Sequence, residues 1–97
     1  MIDENKSILA TERAAHAEAL LKDELLNEAF AYLEAEYTLR WRSTGVADAD
    51  TAIRERLWQA INLLGKVRDH LKKVVADGKV SRRDLDQLEI RRRQRAA

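Results

Sequence analysis

Apolar residues recur at helical spacing along the second half of the chain. Ile53, Leu57, Ala60, Leu64, Val67, Leu71 and Val74 are separated by 4, 3, 4, 3, 4 and 3 residues, the repeat that puts one seam on one face of a helix for three heptads. A second run, Leu26, Phe30, Leu33, Tyr37 and Trp41, has spacings of 4, 3, 4 and 4. If the chain folds back near Ala47, facing positions have numbers that add to a constant. Trp41 with Ile53, Tyr37 with Leu57 and Phe30 with Leu64 add to 94, and Leu33 with Ala60, Leu26 with Val67 and Ala19 with Val74 add to 93. Both patterns fit one register, so a long antiparallel helical hairpin is expected. The poor layer sets Lys22 opposite Leu71, where Lys22 snorkels over the seam or the seam drifts to Leu21 and Leu25.

Breaks in the pattern set the expected helix ends. Nothing stops a helix from about residue 7 to 43, and Gly45 is placed to end it in the left-handed conformation. Asp48 and Asp50 offer N-caps for a second helix, about 49 to 76, with Ala76-Asp77-Gly78 as its stop and Lys72 and Lys73 suiting its negative end. In Val-Ser-Arg-Arg-Asp-Leu, Ser81 can cap, Asp84 can reach back, and Val80 can staple to Leu85, which starts a short C-terminal third helix over about 82 to 93. A basic tail follows over 91 to 97. The expectation is one all-α domain over 1–97.

The seam leaves apolar residues over. Leu21, Leu25 and Tyr32 on helix 1, with Trp58 and Ile61 on helix 2, widen the stripe beyond what two helices cover. Helix 3 has little apolar surface and is expected to fold over helix 1 around Ile8, Leu9 and Ala15. Self-association as a dimer or a ring through Leu21, Leu25, Tyr32, Trp58 and Ile61 therefore follows.

Composition agrees with this picture and narrows the chemistry. Ala, Leu, Glu, Lys and Arg make up 55 of 97 residues, Pro is absent and Gly numbers 3, too little turn and strand chemistry for a sandwich, barrel or βαβ sheet. Cys is absent, which removes disulfides and cysteine zinc sites. No apolar run reaches membrane-spanning length, and Met-Ile-Asp-Glu-Asn-Lys-Ser lacks the cationic start of a signal peptide, so a soluble, unexported chain is expected. The formal charge of +1 conceals an asymmetry: residues 1 to 44 carry 5 basic and 9 acidic groups, whereas 81 to 97 carry 6 basic and 3 acidic.

No catalytic, cofactor or metal motif stands out. His16 and His70 belong to no metal-ligand spacing; a site from His70, Glu24 and Glu28 competes with a solvated charged flank. Glu34 and Glu36 are two apart and point to different sides of a helix. Helical chorismate mutases share the size and helix count, but their sites need converging Arg, Lys, Glu and Gln, and here Arg40, Arg54 and Arg68 sit beside the seam. Trp41 fits the seam and Trp58 its flank, so anchoring is favoured over base stacking. Gly65 inside helix 2 marks close helix approach or a tolerated surface glycine. No catalytic residue, cofactor, metal, membrane or small-molecule substrate is expected.

The C-terminal run carries partner information. Arg82, Arg83, Arg91, Arg92, Arg93 and Arg95 present guanidinium groups dense enough to attract phosphate, from nucleic acid, or an acidic protein surface. Asp84, Asp86 and Glu89 dilute them.

The stretch DELLNEAFAYLEAEYTLRWRST, followed by RERLWQAINLLGKVRDHLKKVVADGKV, resembles small helical proteins of tailed bacteriophages and prophages encoded among head and packaging genes, over roughly residues 20 to 80. The resemblance implies virion assembly or DNA packaging, where small terminase subunits oligomerise through helical hairpins, and a location in the host cytoplasm or virion interior. The N-terminus lacks a recognisable helix-turn-helix. The expected function is that of a non-enzymatic, oligomeric assembly or packaging accessory with nucleic-acid contact through the arginines; the alternative is a protein-interaction module that regulates or inhibits one partner protein.

Overall fold

A computed structural model describes residues 3–45 and 47–96. Among the described residues there are three α-helices and no strand: α1 Glu4–Lys22, α2 Glu24–Ser43 and α3 Asp48–Ala96. The all-α expectation holds, but the three helices are divided differently from the expected ones.

The first difference is a break inside the expected helix of residues 7 to 43. Asp23 takes an extended conformation, φ −67° and ψ 119°, and its carboxylate accepts from the Leu26 amide at 2.7 Å. The side chain thus replaces a backbone acceptor in the first turn of α2, the N-cap arrangement. The Asp23 carbonyl also accepts from the Asn27 amide at 3.0 Å.

Gly45 does not end α2 in the left-handed conformation, since no described glycine has positive φ. Thr44 is the C-cap instead, extended at φ −76° and ψ 136°, with its amide donating to the Trp41 carbonyl. Ala47 begins α3 by accepting from the amides of Asp50 and Thr51 at 2.9 and 3.0 Å, so Asp50 lies in the first turn rather than at the cap. Val46, the side chain of Asp48, and Ala97 of the basic tail lie outside the described residues.

The largest difference is at Ala76-Asp77-Gly78, where α3 continues without interruption. The stop of helix 2 at residue 76 and the fresh start at Ser81 are both corrected. Leu71, Val75, Gly78, Ser81, Leu85 and Leu88 follow one another by 4, 3, 3, 4 and 3 residues, and all are buried or half-buried. The two residues expected to punctuate the chain are the small members of this stripe. A Cβ on Gly78 would collide with the Ala14 Cβ and lie 3.1 Å from the Ala10 carbonyl oxygen, so helix contact gives Gly78 its role. Val80, the expected staple, is exposed.

Contacts gather into two units, Met1–Leu21 with His70–Ala97, and Lys22–Asp69. In the first, α1 presents Ser7, Ala10, Ala14, Ala17 and Leu21 at spacings of 3, 4, 3 and 4, all buried or half-buried. These side chains are small enough for a helix to approach at Gly78. Ile8 and Leu9, the expected contact of the C-terminal segment, are exposed, as is Ala15. In the second unit, Leu26, Phe30, Leu33, Tyr37 and Trp41 are half-buried, as are Leu57, Ala60 and Leu64, whereas Ile53 and Val67 are exposed. Arg54 lies over the Trp41 ring at 4.3 Å and Arg68 over the Phe30 ring at 4.9 Å.

Candidate interaction surfaces

Two surfaces carry the expected contact residues: the arginines of the first unit and the exposed apolar side chains of the second. Arg82 approaches Asp86 at 3.7 Å, Arg93 pairs with Glu89 at 2.8 Å and Arg92 with Glu4 at 2.7 Å. The first two are neighbours one turn apart on one helix, and the third joins α3 to the start of α1. Arg92 holds the Glu4 carboxyl below its ordinary value, through the hydrogen bond first and the charge second, and Glu4 raises Arg92 in turn. Among the described residues Arg83, Arg91 and Arg95 have no acidic partner, and all three are exposed. By helical spacing Arg83 and Arg91 lie on the side of α3 away from Gly78, whereas Arg95, seven residues after Leu88, continues the line of the stripe at the exposed end of the helix. The six expected contact residues are therefore divided into three compensated cations and three available ones.

The expected self-association residues are also divided. Leu25, Tyr32 and Trp58 are exposed, whereas Leu21 and Ile61 are half-buried. Leu39 and Leu63, not singled out by the sequence pattern, are exposed as well. A shallow depression on α3 is lined by Arg56, Trp58, Gln59, Asn62, Leu63 and Lys66. A second, on α2, is lined by Ala31, Glu34, Ala35, Thr38, Leu39 and Arg42.

The arginines beside the seam have structural partners. Arg54 donates to the carbonyls of Trp41 and Thr44 at 2.9 and 3.2 Å, so one guanidinium satisfies acceptors at the end of α2 while its face covers an aromatic ring. Arg40 pairs with Glu36 at 2.6 Å. The Nε of Arg68 is buried without a hydrogen-bond partner, and its guanidinium covers Phe30. Among the described residues no group of three His, Asp or Glu could hold a metal ion, and both His16 and His70 are exposed. No helix of the described residues is long and apolar enough to cross a membrane. Comparison with protein-family models, curated proteins and solved structures returns no match.

Proposed function

We propose that this chain is a non-enzymatic helical assembly protein that works by associating with copies of itself, with C-terminal arginines as a secondary contact. In this reading α2 and the N-terminal part of α3 form an antiparallel hairpin. The observation that carries the proposal is exposure. The chain leaves 7911 Å² accessible, against about 5,700 Å² for a globular protein of its mass. Among the described residues Ala17 is the only buried hydrophobic side chain, and no large side chain is fully buried. Burial of apolar area is the dominant favourable term in folding, so a chain with this little core gains most by burying more against a partner.

Virion assembly or DNA packaging is the setting suggested by the likeness of residues 20 to 80 to phage head-region proteins, and the compartment that goes with it is the host cytoplasm or the virion interior. The arginines support contact with phosphate because Arg83, Arg91 and Arg95 are exposed and uncompensated. A second reading, a module that binds one acidic partner protein, is favoured by the compensation of Arg82, Arg92 and Arg93, which lowers the charge offered to a polyanion.

Light scattering after size exclusion, with and without a short DNA duplex at two salt concentrations, tests the proposal. A multimer that takes up DNA at low salt and releases it at high salt supports the packaging reading. A multimer indifferent to DNA moves the function to protein interaction, and a monomer at tens of micromolar rejects self-association.

A further inference from the structure

The outward face of α2 has an arrangement that suits one occupant. Leu25, Tyr32 and Leu39 are 74%, 66% and 66% exposed, and they are spaced seven residues apart, so they stand in one row along the helix. That row lies on the side opposite the half-buried Leu26, Phe30, Leu33, Tyr37 and Trp41. The α2 sequence is thus amphipathic twice, with one stripe covered inside its unit and a second in water. Three large apolar side chains in a row on a helix of this length have no folding benefit while they stay wet.

The row is symmetric about its centre. The numbers of Leu25 and Leu39 average to that of Tyr32, so a two-fold axis beside Tyr32 sets Leu25 of each copy against Leu39 of the other and the two Tyr32 rings against each other. An isologous interface requires this self-complementarity. Ala29 and Ala35 flank Tyr32 at three residues on either side and leave room for the rings. Charge selects the direction. Glu24 and Glu28 lie at the N-terminal end and Arg42 at the C-terminal end, on one flank of the row. Parallel pairing would set each Glu24 and Glu28 beside its own copy, whereas antiparallel pairing brings Glu24 of one chain to Arg42 of the other. Glu24 and Arg42 are both exposed.

We infer that two copies of this chain pair through the outward face of α2, antiparallel and on a two-fold axis at Tyr32, with Leu25 against the partner's Leu39 and Glu24 against the partner's Arg42. The inference rests on the self-association reading above and names its contact face. Trp58 and Leu63 on α3 remain outside this interface, free for further copies.

The chain has no cysteine, so single cysteine variants of the full-length protein report contacts cleanly. Under mild oxidation Tyr32→Cys is expected to form a covalent dimer, because only a residue on the axis meets its own copy. Leu25→Cys and Leu39→Cys should each form little alone and a covalent dimer when mixed. In case Tyr32→Cys weakens pairing, charge reversal gives an independent reading by sedimentation. Glu24→Arg or Arg42→Glu alone should weaken dimerisation by about fivefold or more, and the two together should restore it. An oligomer that neither crosslinks in this pattern nor responds to the charge swap overturns the α2 interface and leaves self-association standing. A monomer at tens of micromolar overturns both and leaves the face for a different protein.

Discussion

Gly65 and Gly78 are the interior glycines of α3, and the space above each gives them opposite consequences. A Cβ at Gly65 meets nothing within 4 Å, whereas one at Gly78 strikes Ala14 and crowds the Ala10 carbonyl. Helix propensity alone favours alanine over glycine by about 1 kcal/mol. Gly65→Ala should therefore raise stability by up to about 1 kcal/mol, while Gly78→Ala should lower it by about 2 kcal/mol, because backbone atoms must move. Thermal unfolding at one fixed protein concentration checks both; a stabilising Gly78→Ala would mean that the α1 contact is loose. Arg54→Ala removes two hydrogen bonds to carbonyls and a cation over Trp41 and should cost about 2 kcal/mol, with Arg54→Lys intermediate because it loses the planar contact. None of these roles can be read from the residue's own neighbourhood in sequence. A glycine in a helical run signals a stop or a close contact alike, and the deciding atom at Gly78 belongs to Ala14, on a different helix.

At the scale of elements, the periodic apolar runs were legible and the punctuation was not. Leu26 to Trp41 and Leu57 to Leu71 show in the sequence because large apolar residues mark a stripe strongly. The α1 stripe of Ser7, Ala10, Ala14 and Ala17 is built from small side chains, which contrast weakly with their surroundings, and so the sequence pattern runs α1 into α2 without a visible break. The joint depends on Asp23, a single cap between two good helix formers. Asp23→Ala should cost about 1 kcal/mol and speed hydrogen exchange at the Leu26 amide, whose acceptor is lost; unchanged exchange there would show that the break is set by packing. The start of α1 is fastened to α3 by Glu4 and Arg92. Glu4 is held below its ordinary value, so its contribution is present above the ordinary glutamate range and disappears as the pH falls through its lowered value. Exchange of the first α1 amides should rise selectively in acid, and Glu4→Gln should remove that pH dependence.

The molecule as a whole has a surface that its own fold does not use, and the consequences of this are measurable as concentration dependence. A chain stabilised by pairing gains stability with concentration, since a partner that binds only the folded form shifts unfolding by mass action. The unfolding temperature should rise across a hundredfold range of protein concentration, and Tyr32→Asp should flatten the rise while leaving helical content intact. The charge on the surface divides by the same reasoning. The fields of Arg82, Arg92 and Arg93 are compensated by neighbouring carboxylates, while Arg83, Arg91 and Arg95 are exposed without an acidic partner among the described residues, the first two on the side of α3 turned away from α1. If a duplex is bound, counterions are released where uncompensated arginines meet phosphate, at about 0.9 in the logarithmic salt slope for each contact. Replacing Arg83, Arg91 and Arg95 with Gln should lower that slope by up to about 3 per chain. Replacing Arg82, Arg92 and Arg93 should lower it less, because a carboxylate is set free for each cation removed. Equal losses from the two triplets would show that the ion pairs open on binding, and no loss from either would transfer the contact to basic groups of the second unit such as Arg56 and Lys66, which line the depression with Trp58.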